Sequence, residues 1–124
     1  MSAQTQKIIV VDDDPGMNLA LQRLLNAAGF RTITFSSAEA LLQSDAIESA
    51  ACLVLDVHLP GLSGFELQRR LQQSGAMCPV IFITAYDDPV SQAEAAGAGA
   101  IAYLTKPFPG RQLLDAITQA VQTV

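Results

Sequence analysis

Short apolar runs and amphipathic helical segments alternate five times along this chain of 124 residues. The runs at 8–11, 52–55 and 79–83 are apolar throughout, which is typical of strands buried on both faces of a parallel sheet. The run at 32–35 alternates polar with apolar residues and indicates a strand nearer the sheet edge, and 100–104 supplies the fifth strand. Five βα units joined by right-handed crossovers predict an α/β fold with a doubly wound parallel sheet.

The helices between these strands carry local start and stop signals. The apolar stripe predicted for the first helix consists of four leucines, Leu19, Leu21, Leu24 and Leu25. Gly29 is expected to end that helix. Residues 36–39, Ser-Ser-Ala-Glu, spell a capping box ahead of a short second helix.

The composition is that of a folded domain, since 50% of the residues are hydrophobic and 15% are charged. We expect residues 1–124 to form a single domain, with a flexible amino-terminal tail over 1–6. No apolar run can span a bilayer, and the polar amino terminus lacks the apolar stretch of a signal peptide. A cytoplasmic location without membrane attachment is therefore expected. The net charge of −5 argues against direct nucleic-acid binding.

The cysteines and the histidine give little support to a metal site of sulfur or nitrogen ligands. Cys52 and Cys78 lie within or beside strand-like runs and form no closely spaced pair, so we expect buried, unreactive thiols. His58 is the single histidine, which excludes a site built from several histidines.

Three acidic residues, Asp12, Asp13 and Asp14, directly follow the first apolar run. Like charges at the end of a buried strand repel one another and resist desolvation, so folding alone gives no reason for them. A hard divalent cation such as Mg²⁺ offsets clustered carboxylate charge. Asp14 followed by Pro15 fits a helix N-cap and first helical residue. One acid is therefore predicted to be structural, while Asp12 and Asp13 are predicted to bind a cation.

Other polar residues come at the equivalent place in later units. Asp56 follows the third apolar run, Thr84 follows the fourth, and Lys106 lies just past the fifth. In an open parallel sheet, ligands bind beyond the carboxyl ends of the strands, where the strand order reverses. With a flavodoxin-like order of 2-1-3-4-5, three carboxylates, a hydroxyl and an ammonium group converge on one pocket.

This set of groups suits phosphoryl transfer, which needs positioning and neutralisation of charge. Lys106 supplies a positive charge and Thr84 a donor for phosphoryl oxygens. A carboxylate can act as the acceptor and form an aspartyl phosphate. Asp56 is the candidate acceptor, because it stands alone on the central strand while Asp12 and Asp13 hold the cation.

Five short motifs follow one another along the chain: Val10-Val11-Asp12-Asp13-Asp14-Pro15, Leu53-Val54-Leu55-Asp56, Leu59-Pro60-Gly61 with Ser63-Gly64, Thr84-Ala85 and Lys106-Pro107-Phe108. In this order and spacing the chain resembles the receiver domain of bacterial two-component response regulators, over essentially its full length. The resemblance implies a signalling domain rather than an enzyme, one that catalyses only its own phosphorylation and dephosphorylation.

The resemblance also implies roles for the residues of the pocket. Asp56 receives a phosphoryl group from a sensor histidine kinase or a small phosphodonor. Mg²⁺ is bound by the carboxylates of Asp12 and Asp13, joined by the Asp56 carboxylate and the backbone carbonyl of His58. Lys106 contacts the phosphoryl group, and its peptide bond to the following proline is expected to be cis.

By the same resemblance, Thr84 and Tyr103 form a switch pair, in which the hydroxyl turns toward the phosphoryl group and the ring swings inward. The alternative for Tyr103 is an ordinary residue of an amphipathic strand. The switch is expected to change the surface of helix four, strand five and helix five, which relatives often use for homodimerisation or partner contact. The runs at 63–67 and 106–108 look most like receivers joined to helix-turn-helix output domains. The chain is either a stand-alone receiver or a piece of a longer regulator.

Two positions beside the pocket vary within this family, and here they are His58 and Tyr86. We hypothesise that the Tyr86 ring partly shields the phosphoryl group from water and lengthens its lifetime. His58 is interpreted as an exposed loop residue of which only the carbonyl matters.

A phosphohydrolase of the haloacid dehalogenase type is the alternative function, because such enzymes place a nucleophilic aspartate, here Asp12, after strand one. Asp14, Thr84 and Lys106 fit part of that pattern, but the terminal acidic motif is missing and Asp56 has no role in it. A receiver fold that has lost its chemistry is a third possibility, which the complete set of pocket residues does not support.

Overall fold

The computed structural model describes residues 6–122, and its five parallel strands form one sheet in the order β2-β1-β3-β4-β5. The strands are β1 (Lys7–Val11), β2 (Arg31–Phe35), β3 (Ala50–Asp56), β4 (Val80–Thr84) and β5 (Ala102–Thr105). The helices are α1 (Pro15–Ala27), α2 (Ala38–Leu42), α3 (Gly64–Gln73), α4 (Pro89–Gly97) and α5 (Gly110–Gln122), with a 3₁₀ turn at Ala46–Ser49 before β3. The predicted fold class and strand order are confirmed.

Helices cover both faces of the sheet, and this explains the uniformly apolar central strands. Ile8 and Val10 of β1 lie in a buried cluster with residues of α1 and α5, whereas Ile9 and Val11 lie in a second cluster with residues of α2, α3 and α4. Because successive side chains of a strand point to opposite faces, every position of β1 and β4 is buried, as are the last five positions of β3. The edge strand β2 is only partly buried, as its alternating pattern predicts.

The buried face of α1 differs from the predicted leucine stripe. Leu19 is 46% exposed, and the buried residues of the helix are Asn18, Leu21 and Leu25. Residues spaced three and four apart lie on one helical face. Asn18, Leu21 and Leu25 have this spacing, whereas Leu19 lies off that face. The prediction that Leu19 is buried was wrong, because it considered only apolar residues and overlooked Asn18, which completes the buried face.

Most predicted helix ends are confirmed, and the capping box over 36–39 is not. Asp14 caps α1 by accepting a hydrogen bond from the Gly16 amide, and Gly29 follows that helix with φ of 97°. At α2 the cap is Ser37, which accepts from the Ala40 amide. Because this cap lies one residue later than Ser36, Glu39 no longer occupies the third helical position that a capping box needs.

The prediction of buried cysteine thiols is met in part. Cys52 is buried and Cys78 half-buried, both are free thiols, and burial raises the pKa of Cys52 to about 12 and that of Cys78 to about 11. Of the tail expected over 1–6, only Gln6 is within the described residues, and its carbonyl accepts a hydrogen bond from the Arg31 amide. None of the helices described has the length and hydrophobicity needed to cross a membrane.

Candidate functional site

Four of the predicted site residues lie at the carboxyl ends of four neighbouring strands. Asp12 follows β1, Asp56 is the last residue of β3, Thr84 is the last residue of β4, and Lys106 follows β5. β1 and β3 pair directly at the centre of the sheet, so the first two of these residues lie side by side. The site is therefore located at the point where the strand order reverses.

Three carboxylates form the acidic part of the site. Asp12, Asp13 and Asp56 each offer an oxygen, and these oxygens lie within 4.8 Å of one another. Asp12 and Asp56 are buried, whereas Asp13 is exposed. The group is thus open to solvent on one side and enclosed by protein on the other.

The ammonium group of Lys106 bridges the two buried carboxylates. Its Nζ atom donates to Oδ2 of Asp12 at 2.8 Å and to Oδ2 of Asp56 at 3.0 Å. Burial lowers the pKa of Lys106, but the two hydrogen bonds and the charges of both carboxylates together outweigh it and raise the pKa, so the side chain is a fixed positive charge. The Lys106–Pro107 peptide bond is cis, as the family resemblance implies.

Backbone amides hold the other oxygen of each buried carboxylate. The Asp14 amide donates to Oδ1 of Asp12 at 2.9 Å, and the His58 amide donates to Oδ1 of Asp56 at 2.9 Å. Each carboxylate therefore accepts a hydrogen bond at one oxygen from a backbone amide two residues later and at the other oxygen from Lys106. A side chain held at both oxygens is oriented before any ligand arrives.

The donor set fits a hard divalent cation. Three carboxylates and only one ammonium group meet in this cluster, so a divalent cation would offset the excess of negative groups. Burial raises the pKa of Asp12, and the hydrogen bonds from Lys106 and the Asp14 amide oppose that shift without cancelling it. Carboxylate oxygens in this number are the ligands that Mg²⁺ prefers.

The Thr84 hydroxyl is fully buried and is engaged with the loop that follows β4. It accepts a hydrogen bond from the Tyr86 amide at 3.0 Å and donates to the Tyr86 carbonyl at 3.1 Å. To reach a group bound at Asp56, this hydroxyl has to release the carbonyl. A change of hydrogen-bond partner at Thr84 is thus tied to the β4–α4 loop.

The Tyr103 ring packs inward against the hydrophobic cluster beneath α2, α3 and α4. Its hydroxyl is buried beside Ser91 and the backbone of Asp88. Burial, and then the charges of Asp87 and Asp88, raise the pKa of Tyr103. The phenol is therefore neutral at physiological pH and lies close to the start of α4.

Two aromatic rings face each other across the two loops that follow β3 and β4. The His58 and Tyr86 rings have centroids 5.5 Å apart and meet edge to face at 80°. Tyr86 is nevertheless 70% exposed. The two residues lie two positions beyond Asp56 and Thr84 in their respective loops, so the pair lies next to the site.

Comparison with known protein families identifies the chain. The family model described as the response regulator receiver domain matches residues 8–118. The chain belongs to the response regulator receiver family.

Relatives of this receiver domain are bacterial regulators of greater length. Nodulation protein W of Bradyrhizobium diazoefficiens is 40% identical over 121 residues, which are 97% of this chain and 53% of the relative. Response regulator protein TmoT of Ectopseudomonas mendocina is 40% identical over 98% of this chain and 56% of its own length. The receiver domain thus spans about half the length of these curated relatives.

Solved structures agree on the receiver fold. The response regulator StyR superposes with a TM-score of 0.89 at 42% identity, covering 97% of this chain and 61% of StyR. The BeF3-activated DrrB receiver domain gives a TM-score of 0.86 at 34% identity, covering 96% and 99% of the two chains. The haloacid dehalogenase alternative finds no support in these likenesses.

Sequence reasoning missed three residues that shape this receiver's site. Glu39 accepts a hydrogen bond from the Leu62 amide at 3.1 Å, which ties α2 to the loop after Asp56. Gly64 lies so close to that aspartate that any side chain would collide with its carbonyl oxygen. Asn18 donates from α1 to the Asp12 carbonyl at 2.8 Å. Gly64 was named only as part of a family motif, and the helical period places Asn18 on the same face of α1 as Leu21, but neither signal gave the contact that the folded chain makes.

Proposed function

We propose that Asp56 accepts a phosphoryl group, supplied by a sensor histidine kinase or a small phosphodonor, in a reaction that requires Mg²⁺. The observation that supports this most is that Lys106 donates hydrogen bonds to both Asp56 and Asp12, with the Asp13 carboxylate close to them. This arrangement supports the proposal, because phosphoryl transfer needs positive charge around the acceptor carboxylate, and Lys106 and a cation at Asp12 and Asp13 would supply it.

In the proposed reaction a carboxylate oxygen of Asp56 attacks the phosphorus atom of the donor. The bond between phosphorus and the donor's leaving atom breaks as the new oxygen–phosphorus bond forms, and the donor leaves with that electron pair. The His58 amide keeps the carboxylate plane fixed through its bond to Oδ1. Lys106 exchanges one carboxylate contact for a phosphoryl oxygen, and Thr84 turns its hydroxyl toward another.

Asp12, Asp13 and Asp56, together with the His58 carbonyl, are the proposed ligands of Mg²⁺, which when bound neutralises charge on the phosphoryl oxygens. The Asp12 carboxylate is already oriented by its hydrogen bond from the Asp14 amide. Asp13, which is exposed, leaves the site accessible from solvent.

The direct test of this function is incubation with acetyl phosphate, followed by intact-protein mass spectrometry. We expect a gain of one phosphoryl group in the presence of Mg²⁺ and none when EDTA removes it, because the carboxylate cluster repels an anionic donor without the cation. Labelling of equal extent in EDTA would contradict the proposed role of the metal.

We further propose that phosphorylation is read out through Thr84 and Tyr103, whose ring already packs inward in this structure, so that the change begins at Thr84. When Thr84 turns toward the phosphoryl group it leaves the Tyr86 carbonyl, and the β4–α4 loop and the surface of α4, β5 and α5 change with it. We propose that this surface mediates homodimerisation or contacts an output domain. In a longer regulator, that output domain would contain a helix-turn-helix. The receiver is a signalling domain, and we propose that it acts in the cytoplasm and turns over only its own phosphoryl group.

The Tyr86 ring is proposed to slow hydrolysis of the aspartyl phosphate, because it stands with His58 at the border of the site. Tyr86→Ala is expected to raise the rate of dephosphorylation severalfold, measured as phosphoryl loss after the donor is removed. Tyr86→Phe is the matched control and should keep the wild-type rate, since the ring remains. An unchanged rate in the alanine variant would refute the shielding role.

A further inference from the structure

The Asn18 side chain makes its hydrogen bonds to main-chain carbonyls, one of them that of Asp12. Its Nδ2 atom donates to the Asp12 carbonyl at 2.8 Å and to the Phe35 carbonyl at 3.3 Å. The same Phe35 carbonyl accepts from the Asp12 amide at 3.1 Å. The backbone of Asp12 is thus fixed at both its N–H and its C=O, from β2 on one side and from α1 on the other.

The bond to the Asp12 carbonyl has a direct geometric consequence. A peptide unit is planar, so holding its carbonyl oxygen sets the orientation of the whole Asp12–Asp13 unit. That unit sets the direction in which both carboxylates leave the chain. Asn18 therefore acts on two predicted cation ligands through one hydrogen bond.

Packing alone does not explain an asparagine at this position. Asn18 is 8% exposed, and its Oδ1 atom is buried with no hydrogen-bond partner among residues 6–122. A buried acceptor without a donor costs about 1–3 kcal/mol. Leucine, which is close in size, would avoid that cost and continue the apolar face with Leu21 and Leu25. Of the two polar groups of the Asn18 amide, only the Nδ2 group makes hydrogen bonds within the described part of the chain, and its shorter one goes to the Asp12 carbonyl.

We propose that Asn18 is a positioning residue for the cation site, acting through the backbone of Asp12 and Asp13. The inference rests on the proposed role of those aspartates as Mg²⁺ ligands, and it assigns to α1 a part in setting their affinity. Residues that orient metal ligands without touching the metal alter affinity by about 10- to 100-fold when they are replaced.

The test compares Asn18→Leu with wild type in two measurements. Mg²⁺ affinity is measured by titration followed through the amide NMR signals of Asp13 and His58, and the free energy of unfolding is measured by urea denaturation in EDTA. We expect the affinity to fall about tenfold. We also expect the amide signal of Asp13 to move in EDTA, before any metal is added, because the peptide unit has lost its hydrogen bond.

Leu25→Val is the matched control, because it trims the same buried face of α1 away from Asp12. It should lower the free energy of unfolding while leaving Mg²⁺ affinity unchanged. Asn18→Ser is the second variant; its side chain is too short to reach the Asp12 carbonyl, so it should weaken Mg²⁺ binding as leucine does, even if Asn18→Leu fails to fold.

Wild-type affinity in either Asn18 variant would overturn the proposal, and so would weakening in Leu25→Val that follows its loss of stability. Failure of the proposed function is distinguishable from these results. It would appear as wild-type protein that binds Mg²⁺ but gains no phosphoryl group on Asp56, and the Mg²⁺ titrations would still report on Asn18.

Discussion

Asp56→Asn is expected to abolish phosphorylation by acetyl phosphate or a kinase while leaving the fold intact. An amide of the same shape keeps the position beside Lys106 and the bond from the His58 amide, but its oxygen is too weak a nucleophile to form an acyl phosphate. The expected result is no detectable phosphoryl adduct by mass spectrometry under conditions that label the wild-type protein.

The matched control for this variant is Asp14→Asn, at the third acid of the cluster. Asp14 caps α1 through the Gly16 amide, and asparagine caps helices about as well as aspartate. This variant should be labelled like wild type, because Asp14 serves the helix rather than the reaction. Full labelling of Asp56→Asn, or loss of labelling in Asp14→Asn, would contradict the assigned roles.

Lys106→Met is expected to have three effects that follow from its position between Asp12 and Asp56. Phosphorylation should slow by about 100-fold or more, because a charge that stabilises the transferring phosphoryl group is lost. Stability in EDTA should fall by about 3 kcal/mol, because two carboxylates lose the ammonium group that compensates them. Mg²⁺ should bind more tightly, because the cation no longer competes with Lys106.

The chain's other lysine supplies the control for these measurements. Lys7 begins β1, at the end of the sheet opposite to the site, and Lys7→Met should leave phosphorylation and Mg²⁺ affinity unchanged. Phosphorylation kinetics, urea denaturation and Mg²⁺ titration separate the three effects. Weaker Mg²⁺ binding in Lys106→Met would contradict the competition inferred from the two short contacts.

The sheet and the location of the site could be predicted because both depend on local pattern. Apolar runs define strands, and in a parallel sheet all strand ends of one kind meet at one edge. Asp12, Asp56, Thr84 and Lys106 are placed by that rule alone, whatever the details of the loops. The family resemblance then supplied the chemistry that the pattern leaves open.

Contacts between distant segments could not be predicted in this way. Glu39 and Leu62 are 23 residues apart, and two adjacent serines gave no local reason to choose Ser37 as the cap. The importance of Asn18 was hidden because a polar residue on a helix is usually assigned to solvent. Its burial depends on the packing of α1 against β1 and β2, which only the folded chain defines.

The central claim is that the covalent chemistry belongs to Asp56 and not to the acidic cluster after β1. Phosphorylated protein can be reduced with borohydride, which converts the acyl phosphate to a stable alcohol, and then digested with trypsin. Cleavage after Lys7, Arg23, Arg31 and Arg69 places Asp12 in peptide 8–23 and Asp56 in peptide 32–69. We predict that the modified residue is Asp56 in peptide 32–69. Modification of Asp12 in peptide 8–23 would contradict the account and favour a phosphohydrolase.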